Sequence, residues 1–194
     1  MKKWIAIVLT LTLLTGLLAA CGQEEAPAPQ GTAAPSENKQ PAEAPQVKGE
    51  TFDVGNYTVL APEGWKAFPV QDIWSDDVNA MDPDQVNIVK GGETDLDMLS
   101  KPMIQIVHYE PDYTLMSAKD YYENAEDVAP ITAGSLTWEG FSSTDIMGNP
   151  MVILTAKAPD GHQYQASLFY QTDAGSYQLT DADLLAILAS VAAK

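Results

Sequence analysis

The sequence predicts an α+β domain over residues 47–194, an antiparallel β-sheet flanked by helices, preceded by a signal helix and a disordered tether. Three observations carry that reading. Short runs of alternating polar and apolar residues recur with turn residues between them, the pattern of half-buried antiparallel strands. Two segments, one central and one at the C-terminus, change to helical spacing. No strand–helix–strand alternation runs through the chain, so a parallel sheet is not expected. No internal repeat is visible.

Residues 1–20 have the order of a signal peptide: a basic Met1-Lys2-Lys3, an apolar stretch from about Ile5 to Leu18, then small residues. Leu18-Ala19-Ala20-Cys21 follows, and Cys21 is the only cysteine of the 194 residues. This tetrapeptide resembles the lipobox of bacterial lipoproteins. The resemblance implies diacylglyceryl transfer to the Cys21 thiol, cleavage between Ala20 and Cys21, and a lipid-anchored protein on the extracytoplasmic face of the cell membrane. Each buried CH₂ of an acyl chain contributes about 0.8 kcal/mol, so two or more chains anchor stably. The alternatives are an uncleaved span from Trp4 to Ala20, or a secreted protein with a spare thiol. A single cysteine leaves no disulfide framework and no cysteine-rich metal site.

Residues 21–46 form the lipidated cysteine and a tether. After Cys21 the segment has five Pro, six Ala and no Ile, Leu, Val, Met or aromatic residue. It cannot bury enough apolar surface to offset the entropy of ordering, so a disordered spacer is expected. Fully extended it would reach roughly 80 Å, and as a flexible coil roughly 27 Å.

The charge narrows the partners. The chain has 27 Asp and Glu against 10 Lys and no Arg, for a net charge of −17. Nucleic-acid binding needs a basic stripe against phosphates and is not expected. Residues 47–194 keep 7 Lys and 23 acids, or −16. Anionic headgroups repel such a domain, so the acyl chains must supply the attachment. An envelope protein with a basic surface, or a cation, is the natural guest.

Within the domain, Thr51–Val54 and Tyr57–Leu60 alternate around the turn pair Gly55-Asn56. Trp65–Val70, Val86–Lys90 and Met103–Tyr109 read as further strands. Ser117–Ala125 reads as a helix, with Ser117 and Asp120 in capping-box spacing. Strands resume at Ile131–Trp138, Phe141–Met147, Met151–Ala158 and His162–Tyr170. Asp160-Gly161 between the last two is a strong hairpin signal. Ser176–Leu179 is a short extension. A closing helix follows Thr180 as N-cap, with Leu184, Leu185, Ile187, Leu188 and Val191 on its apolar stripe.

Pro62-Glu63-Gly64-Trp65 after the opening strand, a Tyr-rich central helix, hairpin strands and the closing Ile187-Leu188-Ala189-Ser190-Val191 resemble the PsbP-like superfamily. That group includes an extrinsic protein of photosystem II, a Ran-GTPase-binding protein and bacterial lipoproteins. The resemblance covers most of residues 50–193. It implies an α/β/α sandwich around an antiparallel sheet and a non-enzymatic binding or assembly role. It supplies no site residue.

Catalytic chemistry finds little support in the residues. Gly140-Phe141-Ser142-Ser143-Thr144 is not a nucleophile elbow. Zinc-protease, phosphate-loop and dinucleotide motifs are absent. The two histidines read as a locally bonded strand residue, His108, and a solvated residue after a turn, His162. The unusual feature is acidic: Asp72, Asp76, Asp77, Asp82, Asp84, Glu93, Asp95 and Asp97 face a single cation, Lys90. Oxygen-rich clusters suit Ca²⁺, but the EF-hand order is missing. A solvated acidic face is the plain reading; divalent-cation binding and an acid-residue envelope hydrolase are the alternatives. Trp74 lies among these acids and reads as a lid over the core or, if exposed, as a binding anchor; on the second reading Trp74, Asp76, Asp77, Asp82 and Asp84 form the candidate ligand site. A pocket there favours a small ligand, and a flat apolar patch favours a protein.

Overall fold

β-branched and aromatic residues alternating with polar ones favour a pleated, half-buried surface, and the chain forms strands at nearly every such run. The computed structural model describes residues 47–194. Ala20, Cys21 and the tether lie outside the described residues. The strands are β1 (Gly49–Asp53), β2 (Tyr57–Pro62), β3 (Trp65–Gln71), β4 (Met81–Lys90), β5 (Met103–Tyr109), β6 (Glu126–Asp127) and β7 (Ile131–Ala133). They continue as β8 (Leu136–Thr144), β9 (Pro150–Lys157), β10 (Gln163–Phe169), β11 (Gln171–Thr172), β12 (Gly175–Ser176) and β13 (Ala192–Ala193). The α-helix of the described residues is α1 (Ala182–Ser190). Single 3₁₀ turns occur at Asp95–Leu99 and Lys119–Tyr121.

All pairings are antiparallel. The large sheet runs β3-β4-β5-β10-β9-β8-β6, with β7 also on β8. A smaller sheet runs β1-β2-β13, and β11-β12 is a separate ribbon.

The expected α+β sandwich flanked by helices is overturned. Of the described residues 47% are strand and 11% helical, so the described fold is β-rich with one α-helix. The predicted helix over Ser117–Ala125 is a 3₁₀ turn within an irregular segment. Nine residues are too few to hold a helix without tertiary packing. Asn124 has φ 56, outside the helical region. Tyr122, Ala118 and Ala125 instead pack individually on Phe141, Met151 and Ile153. The run Ile131–Trp138 is not one strand either. Gly134, at φ 60, turns the chain between β7 and β8, so that Ile131 faces Trp138. The closing helix caps on Asp181, one residue after Thr180, and ends at Ser190; Val191 then leads the chain into β13.

The core lies between the large sheet and a layer of β2 and α1. One row across the sheet is Ala67, Ile88, Ile104, Leu168 and Val152. The next is Val86, Ile106, Ala166 and Leu154, with exposed Pro69 at its β3 end. Tyr57, Val59, Leu184, Ile187 and Leu188 share this core with them. Fully burying one such side chain contributes about 1.5–3 kcal/mol. Trp65 also donates its Nε1–H to Asp183 across to the helix at 3.2 Å. Trp138 is buried, and its Nε1 has no hydrogen-bond partner among the described residues.

Candidate functional site

The next row of the sheet changes chemistry. His108 lies between Tyr164 on β10 and the start of β4. Period-two alternation after Ile104 and Ile106 sends its ring into the core, where it is 3% exposed. The sheet's end supplies the partners such burial requires. His108 Nδ1 meets Asp84 Oδ1 at 2.7 Å, and its Nε2 meets His162 Nδ1 at 2.8 Å. Asn56 donates to the same Asp84 oxygen at 2.9 Å. Asn56 is itself fixed: its N–H donates to the Pro83 carbonyl and its carbonyl accepts from Lys194. Gly55, at φ 140, lets this turn approach; a Cβ there would run into Pro83.

The hydrogen-bond directions follow from valence. A carboxylate only accepts, so Nδ1 of His108 carries the proton toward Asp84. His108 Nε2 and His162 Nδ1 share one proton between them, one ring donating and the other accepting according to tautomer. The 5.0 Å between ring centroids is close to the 2.8 Å contact plus two ring radii. The imidazoles therefore meet edge to edge. Tyr57 and Tyr164 sheath His108 with centroids at 5.7 and 5.5 Å. Burial pushes the Tyr57 hydroxyl well above its ordinary range, with Asp84 and Asp82 adding to it. It stays protonated and donates to the Ile106 carbonyl at 3.0 Å. Burial also raises Tyr164, against a backbone hydrogen bond from Ala193. Glu110 Oε2 stands 3.9 Å from His162 Nδ1.

A second region projects from the other side of the same strand's start. Residues 72–80 connect β3 to β4 as an arm beyond the Gln71–Met81 pair. Trp74 is 89% exposed, Ile73 76% and Val78 75%. Short side chains fold the arm on itself. Asp72 accepts from Trp74 N at 2.9 Å, Ser75 from Asp77 N at 3.1 Å, and Asp77 from Asn79 N at 2.9 Å. These are turn-forming bonds of Asp and Ser to backbone two residues on. Gln71 Nε2 ties the base by donating to the Val78 carbonyl at 2.8 Å.

The expected ligand set thus separates. Trp74, Asp76 and Asp77 belong to the arm and are exposed. Asp82 caps its own turn by accepting from Asp84 N at 2.9 Å. Asp84 alone joins a long-range cluster, with residues read from sequence as a strand filler and a solvated turn residue. The signal for His108 was its place in the alternation with Ile104 and Ile106; nothing local marked His162 as its partner. Further along, Asp97 accepts from Glu93 N and Thr94 N at 2.7 and 3.1 Å, and those bonds hold its carboxyl below the ordinary 3.8. Among the described residues, no three His, Cys, Asp or Glu side chains are already drawn together as a metal shell.

Shallow depressions of about 370 and 330 Å³ lie on the outer face of the sheet and share Glu139 and Thr155. None of the acidic residues 72–97 lines them. Among the described residues, no helix is long and apolar enough to cross a membrane. Set beside known proteins, the chain matches no family model and no curated protein. Its class is defined by its own features: a β-rich antiparallel domain with an Asp–His–His row centred on buried His108, and an exposed apolar arm.

Proposed function

We propose that this chain is a membrane-anchored extracytoplasmic lipoprotein, attached through Cys21, whose folded domain is a non-enzymatic binding module. The arm is its recognition element. One observation carries the reading: Trp74, Ile73 and Val78 are held in water on a segment braced by its own hydrogen bonds. Exposing three large apolar groups costs solubility unless a partner covers them, and Trp is enriched among interface residues that carry binding energy. Asp72, Asp76, Asp77 and Asp82 rim the apolar tip, and no cation lies between Lys66 and Lys90 in the sequence. That rim repels a second copy of the arm and anionic headgroups, and it favours a basic protein surface. The lipobox and the tether support the placement at the membrane.

Site-specific photo-crosslinking in intact cells tests this. A benzophenone side chain at Val78 is expected to yield one discrete protein adduct, lost in Trp74→Ser. No adduct, an adduct to lipid alone, or the same adduct from a probe at Tyr121 would overturn the reading.

A further inference from the structure

We infer that the His108–His162 pair, with Glu110, is a binding site for a single zinc-class divalent ion, independent of the arm. The only two histidines of the chain meet with nitrogens 2.8 Å apart, although they are 54 residues apart in sequence. Between those two nitrogens sits a single proton, which a metal ion bound by both would displace. Among the described residues, Nε2 of His108 and Nδ1 of His162 make no other hydrogen bond.

The surroundings match what a metal-binding imidazole needs. A ligating histidine almost always donates its other N–H to a carboxylate, which fixes its tautomer and raises its basicity. Asp84 does this for His108 at 2.7 Å, and Asn56 pins Asp84 in turn. Tyr57 and Tyr164 shield one side. The third donor is Glu110, exposed and 3.9 Å from His162 Nδ1. Its side chain must swing in, and His162 must withdraw. Donors about 2.0–2.1 Å from a tetrahedral ion lie roughly 3.3 Å apart, so the rings have to part by roughly 0.5 Å. His108 is locked in the sheet; His162, next to the Asp160-Gly161 turn with a side chain 20% exposed, is the mobile partner. Two imidazoles and one carboxylate are a borderline donor set that suits Zn²⁺, Ni²⁺ or Cu²⁺, whereas Ca²⁺ requires oxygen ligands. Asp72 and Asp77 of the arm, spent on backbone amides, take no part.

The test is calorimetry of ZnCl₂ into the detergent-solubilised, EDTA-stripped full chain, with thermal melts in parallel. One ion per chain is expected, with a rise in melting temperature on saturation. His162→Gln should weaken binding by at least about tenfold, a loss of the size seen when metal-site partners are removed. Glu110→Gln should weaken it less, and the double variant Glu93→Gln/Asp95→Asn in the acidic stretch should leave it unchanged. Both single variants lie at the surface end of the row, so their metal-free melts report directly whether they fold. Absence of saturable binding at millimolar zinc, or binding untouched by His162→Gln in a folded variant, would overturn the site. So would loss of binding only in the Glu93/Asp95 variant.

Discussion

The buried histidine row and the exposed arm are three residues apart on β4, between Met81 and Asp84, and they invert the usual distribution of chemistry in opposite ways. The row places polar groups inside; the arm places large apolar groups outside. The same residue type serves both. Asp72 and Asp77 bond to backbone two residues away, whereas Asp84 reaches His108 across 24 residues. A short-range bond shapes a loop and adds little to the stability of the whole. A long-range bond ties strands together, and its loss leaves buried groups unpaired. The row is therefore expected to carry stability and the arm to carry binding.

The sharpest way to break that contrast is His108→Ala. It deletes a buried ring, opens a cavity against Tyr57 and Tyr164, and leaves Asp84 with Asn56 alone. A loss of about 2–4 kcal/mol is expected in urea unfolding, from the cavity and the unpaired partner together. Tyr57→Phe asks for less. It keeps the ring in the core and removes only the hydrogen bond to the Ile106 carbonyl, for an expected loss of about 1 kcal/mol. If Tyr57→Phe costs nothing while His108→Ala still costs several kcal/mol, the row is packing alone and this polar bond adds nothing.

The contrast also explains what could be read from sequence. Alternation around Met103–Tyr109 located β5 to the residue, and the Asp160-Gly161 hairpin placed β9 against β10. The arm was legible only in part: Asp72, Ser75 and Asp76 beside Trp74 make its burial costly, but the sequence favours a lid over the core, and the structure leaves the ring exposed instead. The row was not legible. Asp84 and His108 come from two strands and His162 from the residue just before a third, and their adjacency depends on β5 pairing with β10 rather than β6, a long-range choice with no local signature. The Ser117–Ala125 segment failed for a related reason. Its helical spacing was real, but Phe141 and Ile153, distant in sequence, took its apolar residues one at a time.

For the arm, Trp74→Ser is expected to change the unfolding free energy by no more than about 0.5 kcal/mol, the range of surface substitutions away from special features. The crosslinked adduct should disappear all the same. A large stability loss would mean that the indole covers the domain, and the arm would then belong with the row.

The smallest effect separates local from global bonding by pH. Asp97 resembles the arm's acids, since its carboxylate accepts from amides three and four residues back and pairs with Lys101 at 3.3 Å. Those bonds lower its carboxyl below 3.8 in the folded chain. A group lowered on folding stabilises above its unfolded value and loses that contribution as pH falls through the folded one. Below about pH 4 the Asp95–Leu99 turn should therefore loosen first. Amide exchange at Glu93 and Thr94 should accelerate while Ile104 and Ile106 stay protected. Simultaneous loss at all four would show that this acid, like Asp84, is wired into the sheet, because only a bond that spans strands makes the core depend on one carboxyl.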